Sequence, residues 1–584
     1  MARSFRHRAV QAVRIPTALS LAVLAAASCN GESMAPGGSS GTPELVFEPA
    51  LLDLAEDRQG VVQLENQGTA AAGPIQLVPG PVTMETGGIV DGGQLQVDPA
   101  EIAALEPDST VEIMLSVTLP SSPEPGAYRG SLQASYEGDS LSLLDVRFLV
   151  EPPPPPPPGS GASVTIIGSS APRQGDVVTY TAEVRDESGA LVTDPALTWT
   201  LLPASAGLLT TDGRFVGYAI GPAQIVASVI DAADTLEISI VSRGVRSSSG
   251  FTLVGSGVET QRHTSDLWVH GAYVYTGTWS CRDAGNCGDR LFVWNVSMPS
   301  APQKVNEVVV DARTVNDVKV RDDGTIAVIT HEGSSDGLNG ITLLDLADPG
   351  APSPITRFTN SLAPGVHNVW IDGNYVYAAV DGTGNGLQIV NISDPANPTL
   401  AASYYAGTSI LHDVYVRDGL AFLSHWNAGL VILDVGNGIA GGTPESPVEV
   451  SQIQTAGGQT HNAWYWPATG YVFVGEEDFR TPGIMHVVDA SDLENPVEVA
   501  TFRLAGAPPH NFWLDEDRGI LYAAWYSNGL RAIDVSGILL GELDQQGREI
   551  ADFSTPSTWA PQLHAGLVYL SDMDEGLVIV QPNF

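Results

Sequence analysis

Four stretches decide the reading of this chain: HNVWIDGNYVYAAVDG (367–382), HDVYVRDGLAFLSHW (412–426), HNAWYWPATGYVFVGEE (461–477) and HNFWLDEDRGILYAAWY (510–526). Each holds a short apolar strand, a turn built on Gly or Asp, and a second apolar strand. Looser versions start at Ser265, Asn316 and Pro561, so seven lines are spaced 51, 51, 45, 49, 49 and 51 residues apart. A third strand follows every time, as in GITLLDL (340–346) and GLVILDV (429–435), and several lines continue through a Pro-rich turn to a fourth. Four strands in about 50 residues is the pattern of a β-propeller blade. The β-branched and aromatic enrichment excludes an α-solenoid.

The last line stops after its third strand, near Val580. The segment FTLVGSGV (251–258) stands before the first line like a fourth strand without a sheet. Pairing the two would leave no blade short of an edge and would lock the chain ends together. The stretches GLVILD (429–434) and GLVIV (576–580) resemble the motif of the LVIVD-repeat family of bacterial surface proteins. That resemblance implies a seven-bladed propeller over residues 250–584 and implies little chemistry.

Two further β modules precede it. Residues 43–151 alternate short apolar runs with turns, and LENQG (64–68) and GAYRGSL (126–132) resemble pieces of bacterial Ig-like domains. Residues 161–243 resemble a bacterial Ig-like group 2 domain through TTDGRFVGYAIGPAQIVASV (210–229), with Trp199 where such sandwiches bury an aromatic plug. Seven prolines (152–158) lie in the linker 152–160, a semi-rigid spacer of roughly 20 Å. The fold class expected is therefore all-β: two Ig-like β-sandwiches followed by a seven-bladed β-propeller.

Residues 1–28 carry Arg3, Arg6, Arg8 and Arg14, then the apolar run TALSLAVLAAA (17–27). This is the plan of a secretory signal. The end Ala26-Ala27-Ser28-Cys29 resembles a lipoprotein lipobox, which implies acylation of Cys29 and a flexible tether over 29–42. The expected address is the bacterial cell envelope, with the outer membrane or cell surface favoured. Membrane attachment is expected through the lipid anchor only.

The net charge of −41, with Lys304 and Lys319 the only lysines, argues against nucleic-acid binding. Cys281 and Cys287, six apart in an exported chain, are expected to form a disulfide. No G-x-S-x-G, P-loop, H-E-x-x-H or dinucleotide fingerprint occurs.

His367, His412, His461 and His510 recur at one position of four consecutive lines, where Ser265, Asn316 and Pro561 stand in the others. Equivalent positions in a propeller lie on a ring around its axis, so the four imidazoles are candidates for an axial ligand or metal ring. The competing reading gives them a structural role, hydrogen-bonding loop backbone. The loop after each second strand supplies candidate ligand-face residues: Glu332, Asp381, His425, Trp426, Glu476, Glu477, Trp525 and Asp574. The expected function is non-catalytic binding of a protein or glycan by a monomeric surface protein, with no resident cofactor. The alternative is a transition-metal enzyme built on the histidine ring.

Overall fold

The computed structural model describes residues 43–150 and 163–584, apart from 55–57, 85–89, 91–92, 108, 121–122, 124–125, 137–138, 245–246, 248–249, 284, 381, 383–385, 408–409, 456 and 480–482. Cys29, the signal, the tether and the proline run lie outside the described residues. The described chain is all-β, with two short 3-10 turns as its helical content.

Residues 45–150 form two sheets. One runs Leu45–Glu48, Gln59–Asn66, Thr110–Thr118, Gln94–Asp98; the other is built on the long hairpin Gly126–Tyr136 and Asp139–Val150. Period-2 burial along these strands puts Leu64, Ile113, Leu115, Leu132, Leu144 and Val146 into one shared core. Residues 163–241 form three smaller sheets around Tyr180, Phe215, Ile225 and Ile238. Trp199 is half-buried at the edge of this core. Tyr180, between two strands, and Phe215 hold the centre instead, and both are buried there.

Among the described residues from 251 onward, seven sheets follow one another along the chain, each built on four antiparallel strands. The first begins with His263–His270, and the rest with Val318–Val320, Val366–Asp372, Leu411–Arg417, Thr460–Trp466, Phe512–Asp515 and Thr558–His564. Each of these first strands packs against the first strand of the next sheet, and the seventh packs against the first. The seventh sheet takes its fourth strand from the start of the repeat region, since Phe251–Val258 pairs antiparallel with Gly576–Pro582.

That pairing is close-fitting. Gly257 lies over the indole of Trp294, where a Cβ would come within 2.5 Å of the ring. The indole is 2% exposed and its Nε1 donates to Thr276 Oγ1 at 2.9 Å, so it has nowhere to retreat.

The two N-terminal modules rest on the flank of the fifth and sixth sheets. The segment between Leu530–Asp534 and Glu549–Phe553 leaves the sixth sheet. It adds Gly541–Glu542 as a parallel edge strand on the fifth, then meets both modules. Glu542 receives Arg129 at 2.6 Å and Arg147 at 2.7 Å, and Leu540 packs on Leu208 and Val216. Arg548 is fully buried and donates to the carbonyl oxygens of Asp534, Ser536 and Gly175. Arg243 reaches Asp534 at 2.6 Å. These contacts make the modules part of one packed body with the repeats.

Replacing Gly257 with Val is expected to destabilise the chain by roughly 1–3 kcal/mol, because the added methyls overpack against a pinned indole. Ser256→Val, one residue away on the exposed face, is expected to be near neutral. Thermal unfolding of the two variants checks this.

Candidate functional site

The first strands carry a bulge where the repeated His-Asn pair begins. Register shifts fall between Thr264 and Leu267, Val366 and Asn368, Leu411 and Asp413, Thr460 and Asn462, and Thr558 and Ala560. A bulge re-aims consecutive side chains to one side of a strand. Both residues of the pair therefore line the space between the first strands, and period-2 alternation returns the fourth residue of the motif to that same space. Aligned on the bulge, the seventh counterpart of the histidines is Trp559. Pro561, expected there from the sequence, sits two residues further along.

Three layers result. The first is Ser265, Asn316, His367, His412, His461, His510 and Trp559. Its four imidazoles stand in an arc, with ring centroids 4.3, 4.4 and 4.2 Å apart, and Trp559 continues it at 4.2 Å from His510. These side chains tie each strand to its neighbour. Ser265 Oγ donates to Val315 O at 2.7 Å and Asn316 Nδ2 to His367 O at 2.8 Å. His412 Nδ1 meets His461 O at 3.2 Å, and His510 Nδ1 meets Trp559 O at 2.7 Å. A carbonyl can only accept, so both Nδ1 atoms are protonated. Burial, with the other imidazoles alongside, pushes His412 and His461 well below the ordinary histidine range, and the same holds for His510; all three are neutral. His367 Nδ1 lies 2.9 Å from Glu332 Oε1.

The second layer is Asp266, Asp317, Asn368, Asp413, Asn462 and Asn511. Asp317 Oδ2 accepts the Val369 amide at 2.9 Å, and Asn368 Oδ1 accepts that of Val414 at 3.1 Å. Lys319 Nζ bonds Asp266 Oδ2 at 2.8 Å and also Asp317. Burial opposes charge on Asp266, but Lys319 outweighs it and holds that carboxyl below its usual range. Burial, with Asp266 beside it, drives Asp317 well above. Enclosure in the channel, reinforced by Asp266, pushes Asp413 up to about 7.

The third layer is aromatic: Trp268, Trp370, Tyr415, Trp464 and Trp513, with Lys319 and Gln562 at the two remaining positions. Neighbouring rings sit close, Trp370 to Tyr415 at 4.7 Å, Tyr415 to Trp464 at 4.9 Å and Trp464 to Trp513 at 5.0 Å. The four indoles are half-buried and line an open cavity at this mouth. Sequence reading passed over this layer because its aromatics fit ordinary strand alternation. The usable signal was a Trp or Tyr three residues after each of the four repeated His, and a rare lysine in that slot of the second line.

The loop candidates do not make an exposed face. His425, Glu476 and Glu477 are each 1–2% exposed, and Trp525 is fully buried with Nε1 donating to Ala507 O at 2.6 Å. The second strand of each sheet ends where the first begins, so Trp426 and Glu477 pack against the histidine layer, while Trp525 packs on Phe502 and Glu476 on His486. Trp426 lies 4.9 Å from His412. Glu477 Oε2 is 3.7 Å from His461 Nε2, and the Tyr526 hydroxyl donates to Glu477 Oε1. Glu476 sits by His486 at 3.7 Å and is pushed up to about 7 by burial. Glu332 and Asp574 are half-exposed; Asp574 pairs with Arg282 and lies 3.4 Å from His263. Asp381 lies outside the described residues. Cys281 and Cys287 are joined as a disulfide in the first sheet's loop.

Residues 261–281, 365–406 and 411–455 match the LVIVD repeat. The chain carries LVIVD repeats. The matches fall on the first, third and fourth sheets and suggest a β-propeller. Among curated proteins, no relative matches the chain.

Asp413 stands where three other sheets place Asn, which makes Asp413→Asn a mild probe. The carboxyl titrates higher folded than unfolded, so its contribution is complete below about pH 4 and is lost as pH rises through about 7. Lys319, Asp266 and His367 are the charged or titratable groups acting on it. Asp413→Asn is expected to melt close to wild type at about pH 4 and several degrees higher at about pH 8. Melting curves across that range check the sign.

Proposed function

We propose that residues 250–584 are a seven-bladed β-propeller, with residues 43–151 and 161–243 as Ig-like sandwiches docked on its flank. The protein is held at the bacterial cell envelope through an acylated Cys29. It works by binding a protein or glycan ligand and carries out no reaction on it.

The observation that carries this reading is the aromatic mouth. Trp268, Trp370, Tyr415, Trp464 and Trp513 converge from five sheets onto one concavity, and their indoles keep part of their faces in solvent. Large, rigid aromatic faces give contact area at low entropic cost and stack on sugar rings or apolar side chains. The carboxylates beneath are already used, by Lys319 and by the backbone amide of Val369, and so serve the fold. The rigid ring of strands presents the mouth preorganised, which favours binding. Relative to the sequence expectation, the ligand moves from the loops to the axis.

The test is a glycan and peptide array probed with the full chain and with Trp464→Ala and Trp513→Ala. Ligands held at the mouth are expected to lose about 30-fold in affinity for each indole removed. Ligands whose affinity neither substitution changes, or an array with no ligand, contradict the reading.

A further inference from the structure

We propose that His412, His461 and Glu477 form a binding site for one divalent transition-metal ion of the zinc class. One ring nitrogen from each histidine and one Glu477 oxygen lie within 4.8 Å of one another, and all three residues are buried. Two imidazoles and a carboxylate are a donor set that zinc accepts with a fourth position left for water.

Two of the three ligands, His412 and Glu477, are held from behind. His412 Nδ1 is engaged with His461 O, so its proton is on Nδ1 and the lone pair is on Nε2. His412 Nε2 has no hydrogen-bond partner among the described residues, although the side chain is 94% buried. A buried acceptor left unmatched is costly unless something binds it. Glu477 is oriented by the Tyr526 hydroxyl, and its other oxygen faces His461 Nε2 at 3.7 Å. Such outer contacts on metal ligands fix tautomer and direction. Metal–ligand bonds of about 2.0–2.2 Å put tetrahedral donors about 3.4 Å apart, so a spread of up to 4.8 Å closes by at most about 1.4 Å on loading.

The other two histidines of the arc, His367 and His510, do not bring a ring nitrogen into this group of converging donor atoms. The site therefore belongs to two neighbouring sheets and a loop, not to the ring as a whole. It is independent of the aromatic mouth, whose residues come from further along the same strands.

The test uses the full chain, stripped of metal and titrated with Co²⁺ in excess Ca²⁺, which occupies surface carboxylates. Wild type is expected to bind one equivalent with visible ligand-field absorption that Zn²⁺ displaces, and its thermal midpoint rises with added Zn²⁺. Glu477→Gln and His461→Asn are each expected to weaken Co²⁺ by more than about 100-fold while circular dichroism stays unchanged. Should one variant fail to fold, the other decides. Absence of stoichiometric Co²⁺ or Zn²⁺ binding to wild type overturns the site, as does binding that survives a folded substitution. Loss of ligand at the indole mouth leaves this result unaffected, so the two readings fail separately.

Discussion

The structure depends on a seam repeated around the axis, where a polar side chain of one first strand hydrogen-bonds the backbone of the next. Sheets pack face to face through apolar side chains, and that packing is not directional. Nothing in it sets how far one sheet slides along its neighbour. The axial hydrogen bonds do. Ser265 reaches Val315 O, Asn316 reaches His367 O, His412 reaches His461 O and His510 reaches Trp559 O. Asp317 and Asn368 take the amides of Val369 and Val414, and Gln562 takes that of Val269 at 2.6 Å, joining the last sheet to the first. First strands face neighbours across a wedge instead of pairing with them, so their inward amides need side-chain acceptors and their inward carbonyls need side-chain donors. The repeated His-Asn/Asp pair meets that need.

This explains why the histidine series looks functional from the sequence and is mainly structural in the fold. Burial keeps His412, His461 and His510 neutral, and in His412 and His510 one nitrogen is spent on the seam. What remains is the second nitrogen, and only where a carboxylate such as Glu477 comes close does it gain a chemical use. Lys319 shows the same economy. The only cation in the axial layers answers two carboxylates and stands 5.5 Å from the Trp268 ring, in a slot that the other sheets fill mostly with aromatics.

The period of the repeat, its third strands and the strand at 251–258 were all legible, because they rest on apolar alternation and on a sheet left one strand short. The bulge was not. The seventh line carries Trp559 where four others carry His, so the spacing points to Pro561, two residues past the counterpart that the bulge defines. The depth of the second-strand ends was also hidden: Glu476, Glu477, His425 and Trp525 look like loop residues, since burial of polar groups depends on what the neighbouring sheet lays over them. The docking segment around Leu540 and Glu542 had no periodic signature. Its partners, Arg129, Arg147, Leu208 and Val216, lie more than 300 residues away.

The most direct measurement of the seam is hydrogen exchange at the amide of Val414, which is protected by Asn368 across the boundary between the third and fourth sheets. In wild type this amide should exchange only with opening of the ring. In Asn368→Ala its protection should fall by at least about tenfold, while the amide of Val369, held by Asp317, stays slow. Unchanged protection of Val414 in that variant would contradict a ring set by axial side-chain hydrogen bonds.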